Sequence, residues 1–135
     1  MAGLFEVDLG GEKVRDISSL GLAHIGDAVY ELLVRTHLCV VGKSTSAGLH
    51  KATVAHVSAK AQARVAGRVL PVLTESESAV FRRGRNTKVN SVPKNARYED
   101  YHMATGLEAL FGYLYLTGQG ERISELFDLA MESDN

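Results

Sequence analysis

From Ser18 to Leu38 the string SSLGLAHIGDAVYELLVRTHL sets Leu22, Ile25, Val29, Leu32 and Leu33 three and four residues apart. That spacing draws one apolar stripe along an α-helix, and such a stripe needs another element to cover it. Nowhere does the chain show the apolar/polar alternation of a half-exposed strand, so the fold class is read as all-α. With 135 residues there is room for one hydrophobic core. The 45% hydrophobic and 23% charged content is that of a chain that folds on its own.

The remaining elements follow from punctuation. Serines stand ready to cap the first helix, and Gly42 closes it. A second helix is expected from Ser46 to Val69, with Ala52, Ala55, Ala59, Ala63 and Ala66 as a small-residue stripe and Pro71 beyond its end. A third, capped by Thr74, is expected over 75–83, and GRNTKVNSVPKNA after it reads as a loop. A fourth covers Tyr98 to Thr117, with Leu107, Leu110, Phe111, Leu114 and Tyr115 on one side and Gly118 as its stop; a fifth runs from Glu121 to Met131. Residues 1–17 lack a sustained period and contain Gly10-Gly11, so they read as an N-terminal arm leading into a domain over 18–135.

The formal net charge of -1 excludes nucleic-acid binding by bulk positive charge; any such contact has to come from a local cluster. Arg82, Arg83, Arg85, Lys88, Lys94 and Arg97 form one, with no acid among them. Asn86, Asn90 and Asn95 lie in the same stretch and can donate to phosphate, ribose hydroxyls or base edges. The competing reading is a charged, solvated loop. Lys43, Lys51 and Lys60 would extend the footprint weakly. The single cysteine, Cys39, excludes an internal disulfide and fits a reducing, cytoplasmic setting. No targeting segment is visible, and no apolar run approaches the roughly 18 residues of a membrane span.

Two acids sit inside apolar helical stretches: Asp27 in LAHIGDAVYELL and Glu108 in TGLEALFGYLYL. A carboxylate is costly to bury unless it is paired, hydrogen-bonded or metal-bound, which makes both of them candidates for a site. The alternative is that each points outward from an amphipathic helix.

HIGDAVYE (24–31) resembles the signature helix of the ribonuclease III family, and LEALFGYLYL (107–116) resembles the helix that completes its metal site. RRGRN (82–86), VPKN (92–95) and the absence of a double-stranded RNA-binding domain make the likeness strongest to the mini-ribonuclease III subfamily. The resemblance covers about residues 18 to 130. It implies a ribonuclease III-like helical endonuclease domain that works as a homodimer. It further implies that Mg²⁺-dependent hydrolysis of double-stranded RNA leaves 5′-phosphate and 3′-hydroxyl ends, the substrate being precursor large-subunit (23S) ribosomal RNA. By position, Asp27 and Glu108 carry over as metal ligands and as the catalytic pair. Arg82, Arg83, Arg85, Asn86, Lys88, Lys94 and Asn95 are the expected RNA contacts, from the acid-free basic stretch and the likeness of RRGRN to the family.

The chain departs from larger members of the family, which place carboxylates where it has Ala23 and Thr105. Magnesium prefers oxygen ligands and keeps several waters, so two carboxylates plus substrate oxygens suffice for one ion. Glu31 lies one turn after Asp27 and is either a further ligand, direct or through water, or a solvated glutamate. Thr105 either supports Glu108 or bonds back to its own helix. His24 and His102 are candidates to support the site, against ordinary core or surface roles. The alternative function is a non-catalytic helical RNA-binding protein that kept the nuclease fold.

Overall fold

The computed structural model of the chain describes residues 3–42, 45–88, 91–94 and 96–132. In chain order it contains α1 (Gly11–Arg15), α2 (Ser19–Val40), α3 (Ser46–Val57), α4 (Ala59–Val69), a 3₁₀ turn at Leu70–Val72, α5 (Glu75–Arg85), α6 (Tyr98–Leu116) and α7 (Gly120–Glu132). The fold is all-α; among the described residues the β content is an isolated bridge between Asp8 and Thr117. No described helix is long and apolar enough to cross a membrane.

Local chemistry sets most boundaries. The Ser18 hydroxyl accepts the Gly21 N–H at 3.0 Å and starts α2, and Gly42, at φ +88°, takes the chain away from its end. Thr74 and Glu77 form a reciprocal capping box at the start of α5. Gly118, at φ +70°, ends α6.

Helix α6 is the central element, with α2, α4, α5 and α7 packed around it. Leu107, Leu110, Phe111 and Leu114 are fully buried, each contributing on the order of 1.5–3 kcal/mol by leaving water. Tyr30 from α2 meets Phe111 of α6 and Phe127 of α7 edge-on, with ring centroids 5.3 and 5.9 Å away.

Three features differ from the sequence expectations. The helix expected over Ser46–Val69 divides at Ser58, whose backbone is extended (φ -61°, ψ 154°) and whose hydroxyl accepts the Ala61 N–H at 3.2 Å. A serine that caps a new helix competes with continuation of the old one. The break re-phases the second half. The buried face of α4 is Ala61, Gln62, Val65, Ala66 and Val69, whereas Ala59 and Ala63 are half-buried and Ala55 is exposed.

Second, α5 continues through Gly84 and Arg85. A Cβ on Gly84 would lie 2.8 Å from that of Ala109 and 3.1 Å from the Gly106 Cα, so this glycine serves close helix packing rather than a loop. Third, residues 1–17 contain a helix, and from Val7 onward they pack on the core. Val7 and Val14 are buried with Leu22, Val80, Ala109 and Leu116. The Leu9 N–H donates to the Leu116 carbonyl at 2.7 Å, and the Tyr115 hydroxyl donates to the Leu4 carbonyl.

Candidate active site

Helices α2 and α6 cross with their backbones in contact. A Cβ built on Gly26 would sit 1.6 Å from the Glu108 carbonyl oxygen, and one on Gly112 would sit 2.0 Å from that of Leu22. Only glycine fits at either position. The crossing brings the residue after Gly26, Asp27, against Glu108, although the two lie 81 positions apart in sequence (108 − 27).

Asp27 is on the exposed side of α2, and Glu108 is half-buried. The Glu108 carboxyl is pushed up to about 8, first by burial and then by the negative charge of Asp27, with a hydrogen bond to the Asp27 carboxylate adding to the rise. Gln62 acts in the opposite direction: its Nε2 donates to the Glu108 Oε2 at 3.3 Å and to the Val57 carbonyl at 3.0 Å. Both neighbours of that nitrogen are acceptors, which fixes the orientation of the amide. The Gln62 Oε1 is buried and has no hydrogen-bond partner among the described residues.

The donor set fits a hard divalent cation. Two acids in contact, one with its pKa raised by burial and by the other's charge, gain from a cation between them, and Gln62, whose amide oxygen has no partner among the described residues, lines the cleft with Glu108. No cluster of three or more His, Cys, Asp or Glu side chains able to hold a metal occurs among the described residues. The arrangement therefore suits an ion that keeps much of its water rather than a closed protein cage.

Glu108 lines a cleft of about 510 Å³ between the α3/α4 junction and the start of α6. Gln62, Thr105, Asp100, Lys60 and Arg97 share it. Lys60 and Arg97 thus bring positive charge to the same hollow as the acid. Sequence reasoning named both as basic residues but did not place them at the site, and it missed Gln62 and Asp100 altogether.

The other predicted residues are dispersed. Glu31 is engaged by Arg35, whose Nη2 lies 2.7 Å from its Oε2 on the exposed face of α2. The Thr105 hydroxyl donates back to the Tyr101 carbonyl at 3.0 Å, and His24 is exposed. His102 is buried against the Tyr98 and Tyr101 rings, with centroids 4.2 and 5.7 Å away. Arg82, Arg83 and Arg85 occupy the last turn of α5, where cations also suit the helix dipole. Arg85, Asn86 and Lys88 line a second hollow of about 410 Å³ with Tyr98 and His102. Lys94 is exposed. Lys43, Asn90 and Asn95 lie outside the described residues.

Residues 20–119 match the model of the ribonuclease III domain. The chain belongs to the ribonuclease III family. Two relatives, both named mini-ribonuclease 3, place it in the mini-ribonuclease III subfamily. That of Thermoanaerobacter sp. (strain X514) is 46% identical over 121 residues, 90% of this chain and 85% of the relative. That of Brevibacillus brevis is 50% identical over 111 residues, 82% and 83% of the two chains. An X-ray structure of a protein from Fusobacterium nucleatum superposes with a TM-score of 0.82 at 29% identity, covering 91% of this chain and 98% of that one. Membership in the ribonuclease III family supports an endoribonuclease of the ribonuclease III type.

Proposed function

We propose that the chain is a Mg²⁺-dependent endoribonuclease that cuts double-stranded RNA at a site built on Asp27 and Glu108, leaving 5′-phosphate and 3′-hydroxyl ends. The observation that carries this reading is the glycine-mediated crossing of α2 and α6, which holds Glu108 against Asp27 at the cost of a strongly raised carboxyl pKa. Proteins rarely keep two acids in such contact for stability alone.

Bound there, the cation supplies a water of lowered pKa and offsets charge on the phosphate. Asp27 and Glu108 hold it from opposite helices. Lys60 and Arg97 draw the RNA backbone into the cleft. Arg82, Arg83, Arg85, Asn86, Lys88, Lys94 and Asn95 extend the grip along the duplex. Glu31 joins the site only by giving up Arg35.

The protein acts in this reading as a cytoplasmic homodimer with one site per subunit for the two strands. Leu20 and Leu32, exposed on the helix that carries Asp27, are apolar surface suited to a second copy. Its proposed substrate is precursor large-subunit ribosomal RNA, which rests on the motifs shared with the subfamily.

The test is cleavage of a long RNA duplex, and of the stem flanking precursor large-subunit RNA, with Mg²⁺ and then with EDTA. Metal-dependent double-strand cuts with 5′-phosphate ends are expected. Binding without cleavage under any divalent ion points instead to a non-catalytic RNA-binding protein. Neutralising Arg83, Arg85 and Lys88 together should flatten the salt dependence of binding by up to roughly 0.9 log-log units for each phosphate released, taking duplex DNA as the guide. An unchanged slope removes those residues from the RNA surface.

A further inference from the structure

Gln62 has an unusual position for a neutral amide. It is 2% exposed, lies on α4 while Asp27 and Glu108 lie on α2 and α6, and lines the same cleft as Glu108. Its nitrogen serves two acceptors, Glu108 and Val57, while its oxygen has no hydrogen-bond partner among the described residues. A buried acceptor without a partner is costly, on the order of 1–3 kcal/mol. Thr105, which lines the same cleft, offers no compensation: its hydroxyl is spent on the Tyr101 carbonyl.

We propose that Gln62 is a positioning residue of the cation site: its Nε2 holds the Glu108 carboxylate in place, and its Oε1 accepts a hydrogen bond from a water in the ion's shell. This rests on the reading that Asp27 and Glu108 hold a divalent cation. A cation with only two protein carboxylates keeps several waters, and each is a donor in need of an acceptor. Gln62 provides one without adding a third negative charge beside two acids that already repel each other. The break at Ser58 is what turns Gln62 inward, because a helix continuous through residues 46–69 would run on a different phase.

The experiment measures Mn²⁺ binding to the RNA-free protein by electron paramagnetic resonance for wild type, Gln62→Met, Gln62→Glu and Asp27→Asn, with metal-free melting as a fold control. Gln62→Met keeps the length and bulk of the side chain and removes both polar atoms. It should bind Mn²⁺ about 10-fold more weakly, at the low end of the 10–100-fold typical of residues that support metal ligands. It should also lower kcat at limiting metal and leave KM for the duplex unchanged. Gln62→Glu keeps an oxygen there and adds a negative charge, so it should bind Mn²⁺ more tightly than wild type. A folded Gln62→Met protein with wild-type Mn²⁺ affinity overturns the proposal. If that variant does not fold, Gln62→Glu decides: tighter Mn²⁺ binding supports the role, and unchanged or weaker binding overturns it. Wild type that binds no Mn²⁺, or Asp27→Asn that binds it normally, overturns the two-acid cation site itself. Loss of binding in Asp27→Asn with full retention in Gln62→Met defeats the Gln62 role alone.

Discussion

Two glutamates are sunk into this helical core, and their surroundings push them in opposite directions. Glu77 is 3% exposed at the start of α5, where the Arg122 guanidinium of α7 grips both of its oxygens at 2.9 Å and the Thr74 N–H donates to it at 2.8 Å. Burial alone would raise its pKa, yet the hydrogen bonds and charge of Arg122, with Thr74, hold it below the ordinary value. Glu108 faces another acid and an amide instead, and rises to about 8. The first is a structural clamp: Arg122 also donates to the Val72 carbonyl at 2.7 Å and so ties α7 to the 3₁₀ turn before α5. The second forms no ion pair with a basic side chain among the described residues. In the proposed reading, the contrast separates an acid that stabilises the fold from one that would hold an external cation.

The most disruptive way to break this contrast is Gly26→Ala. The added methyl would enter the Glu108 backbone, so the helices must part, at about 3 kcal/mol or more, the upper end of overpacking costs. Metal-dependent cleavage should fall with it, while the Arg122 clamp, which joins α7 to α5 and the 3₁₀ turn, survives. Chemical denaturation and a cleavage assay on the same preparation check this; wild-type stability and activity together would mean that the backbones are not in contact.

A smaller effect is expected at the clamp. Glu77→Gln removes the charge that Arg122 faces and should cost about 2–4 kcal/mol, a little under the range for fully buried pairs because Arg122 keeps part of its side chain in water. Activity per folded molecule should hardly change. Glu108→Gln should do the reverse, with little loss of metal-free stability or even a gain, and no activity. Equal destabilisation of the two variants would erase the distinction between the sites.

The mildest signature is the pH dependence of metal-free stability. A carboxyl whose folded pKa is raised contributes stability that is complete below its unfolded value of 4.5 and is lost as pH climbs toward about 8. Glu77, with its pKa lowered, does the opposite: its contribution is present above 4.5 and is lost as pH falls through the lower folded value. Melting temperature without metal should therefore decline by a few degrees across the upper window, Mg²⁺ should restore it, and Glu108→Gln should flatten the slope. A slope that persists in Glu108→Gln assigns the titration elsewhere.

Much of the fold is legible in the chain itself. Ser18, Gly42, Thr74 and Gly118 act through local backbone chemistry, so the elements they bound can be read from short strings. Asp27 and Glu108 stand out as acids within apolar runs, although only the ribonuclease III motifs turn that into a site. Glu77 is visible merely as an acid in a first helical turn; its partner lies 45 residues away (122 − 77), and no local period announces such a pairing. Gln62 is hidden by Ser58. Read as one helix, residues 46–69 put alanines on the packing face, and a single capping hydroxyl rotates a different set inward. Gly84 reads as loop because glycine's role in close helix packing depends on the partner helix, which the local sequence does not contain.

The most direct trial of the two-acid site is the rate of cleavage of a long RNA duplex at ordinary Mg²⁺ by wild type, Asp27→Asn and Glu108→Gln, each confirmed as folded and able to bind the duplex. Each substitution preserves side-chain volume and deletes one ligand charge. Both rates should drop by more than about 100-fold, since even partners of metal ligands typically cost 10–100-fold, with duplex binding kept within a few-fold. Cleavage by either variant within a few-fold of wild type would contradict the account.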